Sequence, residues 1–179
     1  VTWGGSNDGG DSSAVSDQLS GVTNIFATDN AFAALKNDGS VVTWGGEIGG
    51  DSTEVAEQLE SEVIEIVSNT YGFAALKQDG SVVSWGKTDG WYNSPSTVSN
   101  QLSSNVTHIF SNTYSFAALK NDGSVVTWGH RRYGGDSETV SEQLSDINQI
   151  FGVGDAFIAT KEDGSFVAIN ASPTCLLYT

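Results

Sequence analysis

The phrase Phe32-Ala-Ala-Leu-Lys-Asn-Asp-Gly-Ser-Val-Val-Thr-Trp-Gly45 is written again with small changes at 73–86 and 116–129, and in worn form at 157–170. Aligning the tryptophans puts Trp3, Trp44, Trp85 and Trp128 in one slot, with Ile169 in that slot of the last copy, at steps of 41, 41, 43 and 41 residues. A fixed period of this size marks a tandem array of supersecondary units, none of which can bury its apolar surface alone. It also weighs against an enzyme, because a catalytic site needs unlike residues converging on one point, whereas this chain repeats like residues at like places.

Within a unit the pattern predicts strands at Val22–Thr28, Phe32–Asn37 and Val41–Gly45, with a tight turn at Asp38-Gly39. Asp-Gly between apolar runs is a strong hairpin signal, since both central positions of a type I′ turn need positive φ. The turn glycines are Gly39, Gly80, Gly123 and Gly164. A two-residue turn would pair Leu35 with Val42 and Ala33 with Trp44 on one face, leaving Phe32, Ala34 and Lys36 with Val41 and Thr43 on the other. Both faces are largely apolar, as expected of strands inside a stack of sheets, and the Ala-Ala pairs allow close approach. Each buried indole of the Trp slot contributes roughly 4–6 kcal/mol gross, which reads as structural.

Each unit then runs into a polar segment such as Gly49-Gly-Asp-Ser-Thr-Glu-Val-Ala-Glu-Gln-Leu59. Asp or Ser can start a helix, and Val55 with Leu59 is an apolar i, i+4 pair, repeated as Val15/Leu19, Val98/Leu102 and Val140/Leu144. One or two helical turns are expected here; an outer strand is the competing reading, because a spacing of four also shares one strand face.

The string Ala-Leu-x-x-Asp-Gly-x-Val-x-x-Trp-Gly, with its glycine-rich loop and a distant apolar strand, resembles the repeat of the regulator of chromosome condensation family. The resemblance covers Trp3 to about Asn170 and implies a β-propeller that binds proteins. This chain departs from that repeat in its shorter period, in the Gly-Gly-Asp-Ser segment that replaces an outer strand, and in having four units. A four-unit ring, an open arc completed by other sequence, and a solenoid are all compatible with it. The expected fold is therefore all-β, with four propeller-like repeats of about 41–43 residues and short helical turns between blades. Residues 1–170 are read as one repeat domain, with units at about 1–41, 42–82, 83–125 and 126–166, and 171–179 as a tail. Val1–Gly4 reads as a third strand without its first two, which leads us to expect a further unit upstream.

Charge narrows the partners. Seven basic against 22 acidic residues give a net charge of −15, a field that repels nucleic acid and anionic membrane surfaces. No apolar run approaches the roughly 20 residues of a bilayer span, and the single Cys175 has no internal disulfide partner. The compartment is not legible.

Symmetry is broken in two loops, and those are the candidate contact sites. The third unit carries Lys87, Trp91 and Tyr92 in place of Gly-Gly-Asp-Ser, and the fourth inserts His130, Arg131, Arg132 and Tyr133. Lys87, Arg131 and Arg132 are the only basic residues outside the repeated slot of Lys36, Lys77, Lys120 and Lys161. Tyr, Trp and Arg are common interface anchors, although two aromatics covering a blade edge is an equally economical explanation. The repeated Asp38, Asp79, Asp122 and Asp163 are assigned to turn chemistry and not to calcium. His108 and His130 have no second ligand at zinc spacing, and no cofactor motif stands out. The expected function is a non-catalytic protein-binding or scaffold module. The alternatives are an accessory subunit of a larger assembly and a glycan reader built on Trp91, Tyr92 and Asp89.

Overall fold

A computed structural model describes Gly5, residues 8–87 and residues 92–93 and 95–170, with the backbone alone at 92, 93 and 95. Val1–Gly4, Trp3 and Trp91 lie outside the described residues, and with them the expected orphan strand. The chain divides into two compact units, one ending at Lys87 and the other beginning at Thr88.

In the first unit β1 (Val22–Ala27), β2 (Ala31–Lys36) and β3 (Val41–Gly45) form one antiparallel sheet in chain order, and β4 (Val63–Ser68), β5 (Gly72–Lys77) and β6 (Val82–Gly86) form a second. In the second unit a short strand, β7 (Tyr92–Asn93), is followed by β8 (Val106–Ser111), β9 (Ser115–Lys120) and β10 (Val125–His130), in the order β7-β10-β9-β8. The last sheet contains β11 (Ile147–Val153), β12 (Ala156–Lys161) and β13 (Phe166–Ile169). The all-β reading and the strand positions hold to within a residue or two.

The hairpin register differs from expectation by one residue. Leu35 pairs with Val41, Ala34 with Val42, Ala33 with Thr43 and Phe32 with Trp44. The cause is the turn. Gly39 donates its N–H to the Lys36 carbonyl at 3.0 Å and Lys36 donates to the Ser40 carbonyl at 2.9 Å, which closes a three-residue loop, Asn37-Asp38-Gly39, instead of a two-residue type I′ turn. Only the glycine takes positive φ, at 78° for Gly39 and Gly80, 76° for Gly123 and 83° for Gly164. The aspartate serves the turn through its side chain: Asp38 Oδ1 accepts from the Ser40 N–H at 3.0 Å and from Ser40 Oγ at 2.6 Å. The same pair of bonds recurs at Asp79, Asp122 and Asp163.

This register sorts each sheet into a front face, with Phe32, Ala34, Val42 and Trp44 in the first repeat, and a back face with Ala31, Ala33, Leu35 and Val41. In the first unit the back of the first sheet packs on the front of the second, where Ala31, Ala33 and Leu35 meet Ile66, Phe73, Ala75, Val83 and Trp85. In the second unit Ala117 and Leu119 meet Ile150, Phe157, Ala159, Val167 and Ile169 in the same way. The alanines are wholly buried, so their small size sets the sheet spacing.

The polar connectors are 3₁₀ helices at Ser13–Gln18, Thr53–Leu59 and Glu138–Gln143, with a short α-helix at Pro95–Val98 in the third repeat. The helical reading therefore holds for the segments of the i, i+4 pairs, and in the third repeat a two-residue outer strand, β7, precedes the helix. Leu59, Leu102 and Leu144 from the i, i+4 pairs are buried. At the helix end the repeated lysine has a place: Lys77 Nζ donates to the Gln58 carbonyl and Lys120 Nζ to the Gln101 carbonyl, both at 3.0 Å. Just before each first strand, Gly21, Glu62, Asn105 and Asp146 adopt φ of 70°, 66°, 65° and 57°. A bulge follows within two residues in every repeat.

The glycine pair of the connector has a packing role. The Nε1–H of Trp44 donates to the Gly9 carbonyl, and that of Trp85 to the Gly49 carbonyl, both at 3.1 Å. Phe32, Phe73 and Phe116 stack on Trp44, Trp85 and Trp128 with centroids 5.2–5.4 Å apart. A Cβ at Gly9 would stand 2.5 Å from the Phe32 ring. Only glycine lets the loop lie this close, which accounts for Gly-Gly where an outer strand was the competing expectation.

Candidate functional site

In an antiparallel three-stranded sheet the connection from first to second strand and the exit of the third strand fall on one end, opposite the Asp-Gly turns. Main-chain bonds tie the two loops together in the first three repeats: Gly46 N–H to Asn30 O at 2.7 Å, Lys87 N–H to Tyr71 O at 3.0 Å, and His130 N–H to Tyr114 O at 3.1 Å. The residue after each Trp-Gly is thereby held beside the tip of the preceding loop. What occupies those two positions differs from repeat to repeat.

In the first repeat the neighbours are polar, with Asn30 Nδ2 donating to Asp8 Oδ1 at 2.7 Å. In the second, the Lys87 ammonium sits 4.9 Å from the centroid of the Tyr71 ring, a cation–π contact of about 0.5–1 kcal/mol when exposed. In the third repeat three rings gather. His130 and Tyr133 have centroids 4.4 Å apart, Tyr114 and Tyr133 5.0 Å, and Tyr114 and His130 6.3 Å. All three side chains are half-buried, and Arg131 and Arg132 beside them are exposed.

Asn112 organises this cluster. It is buried, its Oδ1 accepts from the N–H groups of Tyr114 and Ser115 at 3.0 and 2.8 Å, and its Nδ2 donates to the Tyr133 carbonyl at 2.7 Å. Ser115 Oγ donates to the His130 carbonyl at 3.1 Å, and Asn170 Nδ2 donates to the Arg131 carbonyl at 2.7 Å. Both loops are thus pinned by side chains that reach their main chain. His130 Nδ1 accepts from the Arg132 N–H at 3.2 Å, so the neutral ring carries its proton on Nε2. Arg131 pairs with Asp136 at 3.6 Å, an exposed contact worth about 0–1 kcal/mol. Gly134 ends the Arg131–Tyr133 turn at φ 94°, and a Cβ there would come within 2.8 Å of Phe157.

The two symmetry-breaking loops meet in the backbone. Strand β7 pairs with β10, with Asn93 opposite Gly129 and Tyr92 opposite His130. Of the expected contact residues, Tyr92, His130, Arg131, Arg132 and Tyr133 therefore share the third sheet and its exit loop. Lys87 lies in the first unit over Tyr71, and Trp91 is outside the described residues. Two participants were missed, Tyr71 and Tyr114. Their signal is the tripeptide Asn-Thr-Tyr, present at 69–71 and 112–114 and absent from the other two repeats. Among the described residues no group of three His, Cys, Asp or Glu side chains is arranged to hold a metal ion, and no helix is long and apolar enough to cross a membrane.

No protein-family model matches the chain, and no curated protein matches it. Solved structures do. Prp20p from Saccharomyces cerevisiae, in a structure whose subject includes its binding to Gsp1p and histones, aligns with TM-score 0.59 and 15% identity over 86% of this chain and 45% of its own. The same yeast protein, there called RCC1 (Prp20) and bound by Kap60, aligns with TM-score 0.57 and 15% identity over 86% and 44%. The CRINKLY WD40 ectodomain of the Arabidopsis thaliana receptor kinase ACR4 aligns with TM-score 0.52 and 18% identity over 82% and 50%. The chain thus has a β-propeller-type repeat fold like that of the regulator of chromosome condensation, and it spans about half the length of these neighbours.

Proposed function

We propose that this chain is a non-catalytic protein-binding repeat module whose partner seats on the strand-exit end of the third sheet, against Tyr114, His130, Arg131, Arg132 and Tyr133. The observation that carries this reading is the ring cluster itself, three aromatics within 4.4–6.3 Å of one another on loops fixed by Asn112 and Asn170. A rigid aromatic surface loses little entropy on binding, and guanidinium groups at its rim supply directional donors. Placing both arginines here, in a chain with seven basic residues, makes this the spot best suited to carboxylates of a partner. One of the fold neighbours, Prp20p, is described with its binding to Gsp1p and histones and in a complex with Kap60, which agrees with the class of function.

The test is charge reversal of both arginines, Arg131→Glu with Arg132→Glu, in protein used to capture partners from its source. The side chains are exposed, so folding is expected to survive. Capture should fall at least about tenfold, while Glu162→Arg, in the turn at the other end of a sheet, should leave it unchanged. Equal capture by all three forms would refute the assignment.

A further inference from the structure

Among the described residues, two apolar faces stay exposed where their counterparts inside each unit are covered, the back of the fourth sheet and the front of the first. Within the first unit Phe26 and Val41 on the back of the first sheet pack against the front of the second, and within the second unit Phe110 and Val125 pack against the front of the fourth. Their counterparts on the back of the fourth sheet are Phe151 and Phe166, which are 45% and 52% exposed. Val153 on the same face is 46% exposed, and Ile158 lies between them, paired with Phe151. Ile158 and Thr160 stand where the inner sheets have Ala and Leu, so the face is still apolar.

The opposite kind of face is open at the first sheet. Ile66 and Ile150, at the centre of the front faces of the second and fourth sheets, are 3% and 1% exposed because a back face covers them. Ile25 holds the equivalent position in the first sheet, opposite Ala34, and is 60% exposed. Leu19 is half-buried where Leu59 and Leu144 are buried. An uncovered front and an uncovered back are the two halves of the contact this chain already makes twice.

We propose that the back of the fourth sheet, through Phe151, Val153, Ile158 and Phe166, docks head to tail on the front of the first sheet, at Ile25, of a second copy of this chain. The repeat rule names the occupant, since a front face of this repeat is what covers each equivalent back face. The contact is heterologous, so one junction leaves one front and one back free, and the series ends only when a ring closes. With −15 on each copy, self-association strengthens as salt rises, opposite to an association driven by charge attraction.

The experiment is sedimentation velocity on the whole chain from about 1 to 100 μM, in the range where weak homodimers populate. Wild type should sediment as a dimer or larger closed species. Ile25→Glu and Phe166→Glu should each weaken assembly at least about 100-fold, because a carboxylate would be buried against apolar surface. An equimolar mixture of the two variants should form a dimer, since each retains the face the other lacks. Both positions are exposed in the single chain, so near-ultraviolet circular dichroism should match wild type; Val153→Glu replaces a Phe166→Glu that does not match, and Ala27→Glu, exposed on the same front face as Ile25, replaces an Ile25→Glu that does not. A wild type that stays monomeric throughout overturns the proposal, and so does an Ile25→Glu form that assembles normally, which would indicate a back-to-back contact or a different occupant.

Discussion

Trp85 donates its Nε1–H to the Gly49 carbonyl at 3.1 Å, joining the last strand of one repeat to the glycine loop that precedes it. Gly49 has φ 90°, and a Cβ there would stand 3.1 Å from the Phe73 ring that stacks on Trp85. Gly49→Ala therefore combines left-handed strain with a displaced aromatic ring, at an expected cost of about 2–4 kcal/mol. Trp85→Phe leaves the buried carbonyl without its donor and opens space, costing about 2–3 kcal/mol. Urea titrations of both variants would check this; a loss below about 0.5 kcal/mol in either would show that the contact does not hold the repeat together.

The turn glycines separate backbone strain from packing. Gly39 and Gly164 have nearly the same φ, 78° and 83°, but a Cβ at Gly39 would meet the Glu62 nitrogen at 2.8 Å whereas one at Gly164 meets nothing within 4 Å. Gly164→Ala should cost about 1–2 kcal/mol from φ alone. Gly39→Ala should cost at least about 1 kcal/mol more, because it also pushes on the Val63 N–H to Gly39 O bond that ties the turn to the next sheet. Thermal or urea unfolding of the pair reads the difference directly.

Glu62 occupies a left-handed position, φ 66°, that Gly21 fills in the first repeat. Glu62→Gly should raise stability by about 0.5–1 kcal/mol by removing that strain. The price is the ion pair with Lys77 at 3.8 Å, which is exposed on the glutamate side and contributes little. A destabilised Glu62→Gly in urea titration would contradict the strain assignment.

Acid sensitivity follows from the turns. The carboxyl groups of Asp38, Asp79, Asp122 and Asp163 are held below the usual carboxylate range, first by the hydroxyls of Ser40, Ser81, Ser124 and Ser165, then by the N–H groups of the same serines, with the repeated lysines adding a smaller effect. A folded-state value below the unfolded one, near 3.9 for Asp, means that this stabilisation is complete above that range. It is lost as pH falls through the lower folded-state value. Replacing all four serines by alanine should reduce stability at neutral pH and flatten the loss below about pH 4. Melting temperatures from pH 7 to 2 test it; an unchanged acid limb would mean the turns do not drive the dependence.

Much of this was legible because the repeat writes its own alignment: burial of Trp44, Trp85 and Trp128, and the positive φ of the turn glycines, follow from residues printed four times. The register was not, because Asp-Gly serves both two- and three-residue loops, and the choice rests on Asp38 bonding Ser40. The left-handed site at Gly21, Glu62, Asn105 and Asp146 was hidden, since no shared residue type marks it. The ring cluster was half legible. His130 and Tyr133 broke the repeat visibly, whereas Tyr114 sat in a loop that looked like ordinary divergence until the His130 N–H to Tyr114 O bond brought the two loops together.

The most direct test of the protein-binding account is amide hydrogen exchange on the chain alone and in the complex recovered from its source. The account predicts slowed exchange at 112–115 and 129–134 in the complex, with the turns at 121–124 and 162–165 unchanged. Slowing confined to those turns, or exchange identical in both samples, would contradict it.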